Sequence, residues 1–230
     1  MIPQETRETF EVILANRVFI YKLFHKTFGR EPDVAFLSLF ADPAVSGAFS
    51  LLSAEDGDNM SKAASFISSQ PEKAKASDYL HQLQNEYMRL FIGPQKLPAP
   101  PWESVYRSHQ GLLFQESTLT IREIYRKNGF QSEGYPRVPD DSLALELDFM
   151  GRMAEKSFAA LADGQDATLA ETLAVQESFV RVHLLFWIPL MLERLSASEF
   201  RLFYPQMIKV LHSFLELDLE LTQDMIKSLT

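Results

Sequence analysis

The stretch FEVILANRVFIYKLFHKTFG, Phe10 to Gly29, decides the fold class. Phe10, Ile13, Leu14, Arg17, Tyr21, Phe24 and Phe28 recur at steps of three and four. A helix turns once per 3.6 residues, so these side chains share one face, mostly apolar and aromatic. A half-buried strand would need strict alternation, and none is present. Gly29 ends the pattern, with Pro32 just beyond as a helix breaker.

The same period runs through the rest of the chain. Asp42 is a plausible N-cap for a short helix in DPAVSGAFSLLS, with Pro43 in its first turn. GDNMSKAASFISSQP reads as another, closed by Pro71. A strong helix is expected from about Glu72 to Phe91, with Tyr79, Leu80, Leu83, Tyr87, Leu90 and Phe91 on its stripe and Gly93-Pro94 as its stop. STLTIREIYRKNGF follows, with Ser117 or Thr118 as cap and Gly129 as C-terminal stop. Asp140 and Asp141 then open a helix through SLALELDFMGRMAEKSF, on which Leu143, Leu147, Met150, Ala154 and Phe158 line up. Gln176, Phe179, Val180, His183, Leu184 and Trp187 form the next face, kinked or ended by Pro189. Phe200, Phe203, Met207, Val210, Phe214, Leu217 and Leu221 mark the last. The expectation is an all-α chain, residues 1–230 forming a single globular helical domain of about ten helices. A Pro-rich loop at residues 93–106 is the candidate boundary between two helical halves.

Composition excludes several classes. Cys is 0, so there is no disulfide, no thiolate metal site and no cysteine nucleophile. Net charge is −9, the wrong sign for a nucleic-acid binder; an acidic surface would steer a basic partner, but on charge alone solubility is the preferred reading. The N-terminus lacks a secretory pattern, and no stretch approaches the roughly 20 apolar residues of a membrane span. FVRVHLLFWIPLML, Phe179 to Leu192, reads as a buried core helix. A cytoplasmic protein without stable membrane insertion is expected.

No phosphate loop, dinucleotide fingerprint, H-E-x-x-H or nucleophile elbow occurs. The five histidines are scattered, so no metal site is expected. DDSLALELD does not complete a D-D-x-x-D magnesium motif, because Ala144 and Leu145 stand four residues after Asp140 and Asp141. Solvent-facing acids at a helix start are the simpler reading. His183, among Phe179, Val180 and Trp187, reads as a core histidine bonded to a carbonyl or a nearby acid rather than as a catalyst. An enzyme built on His183 or the Asp140/Asp141 pair ranks last, since no nucleophile–base–orienter set is visible.

The functional signal lies in FIGPQKLPAPPWESVY, Phe91 to Tyr106. Pro100-Pro101 biases the backbone to an extended form and pre-orders Trp102. Glu103, Ser104 and Tyr106 add polar tips beside that large apolar ring. A rigid amphipathic loop of this kind suits binding of a peptide or helix. The alternative is that Trp102 plugs the junction between two helical halves, and physics alone leaves both open.

EYMRLFIGP (Glu86 to Pro94), PPWESVY (Pro100 to Tyr106), PDDSLALELDFM (Pro139 to Met150) and HLLFWIP (His183 to Pro189) resemble the signature blocks of the TorD/DmsD family of redox-enzyme maturation chaperones. The resemblance covers the middle and C-terminal half. It implies an all-α cytoplasmic chaperone that binds the twin-arginine signal peptide of a molybdoenzyme, of the dimethyl sulfoxide or trimethylamine N-oxide reductase class, and delays export until the molybdopterin cofactor is inserted. A related alternative is a helical adaptor for a non-exported redox subunit, of the nitrate reductase assembly type. The implied peptide-binding set falls on Tyr87, Leu90, Phe91, Gly93, Pro94, Pro100, Pro101, Trp102, Glu103, Ser104, Tyr106, Asp140, Asp141, Ser142 and His183. Asp140, Asp141 and Glu103 would meet the arginines, and Phe91, Trp102 and Tyr106 the apolar segment. The family often has His where Ser142 stands, so no titrating imidazole is expected there. The resemblance also brings an association with guanine nucleotides, but nothing in this chain resembles a phosphate loop and no cofactor is expected. It allows a monomer or a helix-exchanged homodimer.

Overall fold

The computed structural model describes residues 3–56, 58–108, 116–131 and 139–229. Twelve α-helical segments follow in order: α1 Gln4–Gly29, α2 Val34–Leu39, α3 Pro43–Asp56, α4 Asp58–Ser68, α5 Gln70–Lys73, α6 Tyr79–Tyr87, α7 Ser104–Arg107, α8 Glu116–Lys127, α9 Leu143–Ala162, α10 Asp166–Phe179, α11 Leu185–Ala197 and α12 Tyr204–Leu229. α5 and α7 are single turns of four residues. Two π-helical segments, π1 Met88–Ile92 and π2 Val180–Leu184, continue α6 and α10. No strand occurs among the described residues, and the fold is all-α as the periodicity predicts.

Two compact units divide the chain. Unit 1 comprises Met1–His25, Trp102–Trp187 and Leu215–Thr230; unit 2 comprises Lys26–Pro101 and Ile188–Phe214. One boundary falls between Pro101 and Trp102, inside the Pro-rich loop. α1, α11 and α12 each contribute residues to both units.

Unit 1 packs Phe10, Leu14, Leu161, Leu169, Leu173 and Met225 into one apolar cluster. A chain of rings joins Tyr125, Phe149 and Phe179, with centroids 4.8 and 4.9 Å apart. Each such pair adds roughly 0.5–1.5 kcal/mol beyond the area it buries. Within this apolar interior Arg17 is fully buried. Its Nε and Nη2 donate to Asp218 at 2.6 and 3.0 Å, and Tyr21 donates to the same carboxylate at 2.7 Å. Unit 2 is built on aromatic rings. Phe36, Phe40 and Phe203 meet edge to face at 5.3–5.7 Å.

Several element ends differ from the sequence expectation. The helix expected from Glu72 starts at Tyr79, after turns at residues 74–78. Ser117 and Thr118 lie inside α8 rather than capping it. Phe200 and Phe203 precede α12. Pro189 neither ends nor breaks its helix. Its missing N–H would have met the carbonyl of Leu185, the residue where the π turn gives way to α11. α10, π2 and α11 therefore form one helical run, Asp166–Ala197, of 32 residues, whose most apolar 18-residue window has a mean hydropathy of 1.2. By length and composition alone this run could cross a membrane, contrary to expectation, and 44% of its most apolar window is buried inside the protein.

Candidate functional site

The predicted site residues divide between the two units, and each group stands by itself. In unit 2, α6 and π1 carry Tyr87, Leu90 and Phe91, all buried. Phe91 lies 5.2 Å from Tyr87 and 5.3 Å from Tyr204, ring to ring, and 6.1 Å from Phe28. All three belong to the peptide-binding set that the resemblance implies, and here they pack in the core of unit 2. Burial, then the charge of Glu31, pushes the Tyr87 hydroxyl up to about 12, so it stays protonated and donates to the Phe28 carbonyl at 3.3 Å.

Glu86 explains why this signature carries an acid. Its carboxylate accepts the backbone N–H groups of Leu202, Phe203 and Tyr204 at 3.0, 2.8 and 3.0 Å. Leu202 and Phe203 lead into α12 and Tyr204 is its first residue, and the first N–H groups of a helix have no helical partner. Gly93 closes π1 with φ at +102°, a conformation that only glycine adopts without strain. Gly93 and Pro94, with Arg89, Lys96, Glu199 and Phe200, line a cleft of about 300 Å³. Pro100 is partly exposed and Pro101 likewise.

In unit 1, the P-P-W-E-S-V-Y segment is pinned to the start of α9. Trp102 pairs with Ser142 in an isolated antiparallel bridge, and the Glu103 N–H donates to the Asp141 carbonyl at 3.0 Å. The Asp141 carboxylate accepts the Ser104 N–H at 2.8 Å and the Thr118 hydroxyl at 3.0 Å. Asp140 accepts Arg122 Nε at 2.7 Å, and its carbonyl accepts the Tyr125 hydroxyl at 3.0 Å. Ser142 stands at the N-cap of α9 without a side-chain cap bond.

These acids were expected to face solvent or a peptide. Instead Asp140 is 3% exposed, and Asp141 and Glu103 are 0% exposed. Each satisfies a donor of its own chain, because a carboxylate out of water needs such partners. In this structure all three are engaged by donors of their own chain.

Glu103 is the hub of a second network. His183 Nδ1 lies 3.0 and 3.1 Å from its two oxygens, and Arg107 Nε donates to it. Burial alone would raise the Glu103 carboxyl, but the bonds from His183 and Arg107 outweigh it and hold the group below the ordinary carboxylate value. His183 is a buried histidine held by an acid, as its apolar surroundings imply. The π turn carries it, and such turns recur at functional positions. Arg107 also donates to the Val182 carbonyl and stacks 3.9 Å from the centre of the Phe186 ring. Phe186 is 40% exposed and Val182 42%. Tyr106 stacks on Trp187 at 5.4 Å.

Sequence reasoning missed Arg107, Thr118, Glu146 and Trp187. Glu146 is fully buried, with Oε2 accepting the Trp187 indole N–H at 3.0 Å. A signal existed: Glu146 lies between Leu143, Leu147 and Met150 on the apolar stripe of α9. His109 and residues 132–138, which precede the Asp140/Asp141 pair, lie outside the described residues.

Comparison with known proteins gives the family and several relatives. The family model described as nitrate reductase delta subunit matches residues 51–193. The chain is 41% identical over 73 residues to the Tat proofreading chaperone DmsD of Salmonella typhi, covering 32% of this chain and 36% of that one. It is 31% identical over 137 residues to the chaperone protein TorD of Vibrio vulnificus strain YJ016, covering 60% of this chain and 62% of that one. The matches thus span between about a third and three fifths of these relatives' lengths. A crystal structure from Archaeoglobus fulgidus, named for redox enzyme maturation, aligns with a TM-score of 0.48 and 21% identity over 85% of this chain and 91% of that one. These relatives are chaperones by name.

Proposed function

This chain belongs to the nitrate reductase delta subunit family, and on that premise we propose that it is a cytoplasmic chaperone for the maturation of a redox enzyme. Its client is the twin-arginine signal peptide of a molybdopterin-dependent oxidoreductase, of the dimethyl sulfoxide or trimethylamine N-oxide reductase class. Holding that peptide delays export until the cofactor is in place.

One observation carries the reading. Trp102 is partly exposed, while Glu103 and Ser104 beside it are completely buried and bonded. Such a segment presents a large ring with little freedom left to lose on binding. A twin-arginine signal is a basic start followed by an apolar run. Trp102, Val182 and Phe186 offer apolar surface for the run. Unit 1 offers the charge: twelve Lys and Arg against twenty Asp and Glu, a net −8 of the chain's −9. The attraction for the arginines then comes from surface acids and the summed field, not from Asp141 or Glu103.

The test is calorimetric titration with twin-arginine signal peptides of molybdoenzymes, alongside Trp102→Ala. Binding at micromolar Kd or tighter is expected, weakened about tenfold or more by the variant, as for a buried aromatic anchor. A second reading is favoured by the name of the family: an assembly partner for a redox subunit that is not exported. Absence of binding to any of several such peptides, with Trp102→Ala merely less stable, would select it.

A further inference from the structure

The cleft of unit 2 differs in charge from the chain as a whole. Arg89, Pro94, Lys96 and Pro98 reach it from π1 and the loop that follows; Glu199 and Phe200 reach it from the link between α11 and α12. All six belong to unit 2. Its charged residues are two cations and one anion, in a chain of net charge −9. A locally positive cleft calls for an acidic ligand, not for the basic peptide proposed for unit 1.

Both cations have capacity to spare. Arg89 Nη2 donates to the Glu199 carboxylate, and its guanidinium lies 4.7 Å from the centre of the Phe200 ring. A guanidinium has five N–H donors, and no second acceptor takes one from Arg89 among the described residues. Lys96 is exposed and meets no acid among the described residues. The Arg89 and Glu199 side chains are 47% and 68% exposed. A pair that open gains little in water, so another carboxylate takes the place of Glu199 at a cost of no more than about fivefold in affinity.

Glu199 also shows which anion Arg89 accepts here: a carboxylate, beside an aromatic ring. Pro94, Pro98 and Phe200 add apolar wall. An inorganic anion has nothing to set against that wall, whereas an acidic side chain with an apolar neighbour does. The volume of about 300 Å³ is at the low end for ligand sites, which suits a few side chains of a short segment.

We propose that this cleft binds an acidic peptide segment. One carboxylate of the segment displaces Glu199 from Arg89, Lys96 pairs with the added charge, and an apolar side chain packs on the prolines. Glu199 is the resident occupant that holds Arg89 beside Phe200 until the segment arrives. The site does not rest on the twin-arginine reading. Because its cations are exposed, binding weakens as ionic strength rises.

Calorimetric titration with a hexapeptide of alternating glutamate and leucine, blocked at both ends, tests the site. The same peptide with glutamine for glutamate, and inorganic phosphate, are the controls. Saturable binding of the glutamate peptide at millimolar Kd or tighter is expected, with no binding of the glutamine peptide. Lys96→Glu, a change at an exposed position, should weaken it about tenfold or more. Glu199→Gln, which frees Arg89, should tighten it by about two- to fivefold. Equal binding of the two peptides, or an affinity that Lys96→Glu leaves unchanged, overturns the site. An affinity that Glu199→Gln leaves unchanged or lowers overturns the displacement. Phosphate that binds as tightly as the glutamate peptide overturns the peptide assignment in favour of a simple anion. Absence of saturable binding at millimolar peptide overturns the proposal outright. Failure of twin-arginine peptides to bind bears on the functional reading alone.

Discussion

The Asp141 carboxylate sits 2.8 Å from the backbone N–H of Ser104, thirty-seven residues earlier in the chain, and both residues are fully buried. A side chain that reads as a helix-start acid thus serves as the clasp of the Trp102 segment. Asp141→Ala leaves the Ser104 N–H and the Thr118 hydroxyl without this acceptor. Each buried orphan costs about 1–3 kcal/mol. Urea unfolding should show that loss, and peptide affinity should fall with it. Affinity lost at unchanged stability would mean that Asp141 touches the peptide directly.

Asp218 is the partner of Arg17 in the interior of unit 1. Asp218→Ala leaves a buried guanidinium uncompensated and should cost about 3–5 kcal/mol. The double change Arg17→Met with Asp218→Leu removes both charges and should recover most of that loss. Chemical denaturation of the three variants decides it. A double variant no better than Asp218→Ala would show that the ion pair itself, rather than the orphaned charge, sets the cost.

Glu86 holds three N–H groups at the start of α12. Glu86→Ala should destabilise by about 1–3 kcal/mol per orphaned group that water cannot reach. Glu86→Gln, with one carbonyl oxygen left, should lose less. Hydrogen exchange at Leu202, Phe203 and Tyr204 should accelerate in both variants, more in the alanine one.

Gly93→Ala tests the turn that ends π1. An added Cβ would meet only Gln95 backbone atoms at 3.5 Å, an ordinary contact. The cost is therefore conformational, from φ at +102°, and of order 1–3 kcal/mol. A thermal melt indistinguishable from wild type would show that the backbone at this turn relaxes without penalty.

How far the chain can be read without its structure is clearest on single stripes. Phe10, Leu14, Tyr21, Phe24 and Phe28 announce the buried face of α1, and all are buried. Arg17, His183 and Glu146 interrupt such stripes, which announces buried polar groups. Their partners, Asp218, Glu103 and Trp187, come from 201, 80 and 41 residues away. No spacing rule reaches that far.

The sequence by itself determined the all-α class, most helix stops, the loop that presents Trp102 and the likeness to maturation chaperones. Those features depend on local periodicity, on glycine and proline, and on short motifs, all of which neighbours in sequence carry. Tertiary structure alone decided which way the acids point. Asp140, Asp141 and Glu103 look like surface charges on a loop, yet each is buried against donors brought by α8, α7 and π2. The physical reason is that desolvating a charge is prohibitive until its partners converge, and that convergence is a property of the packed chain.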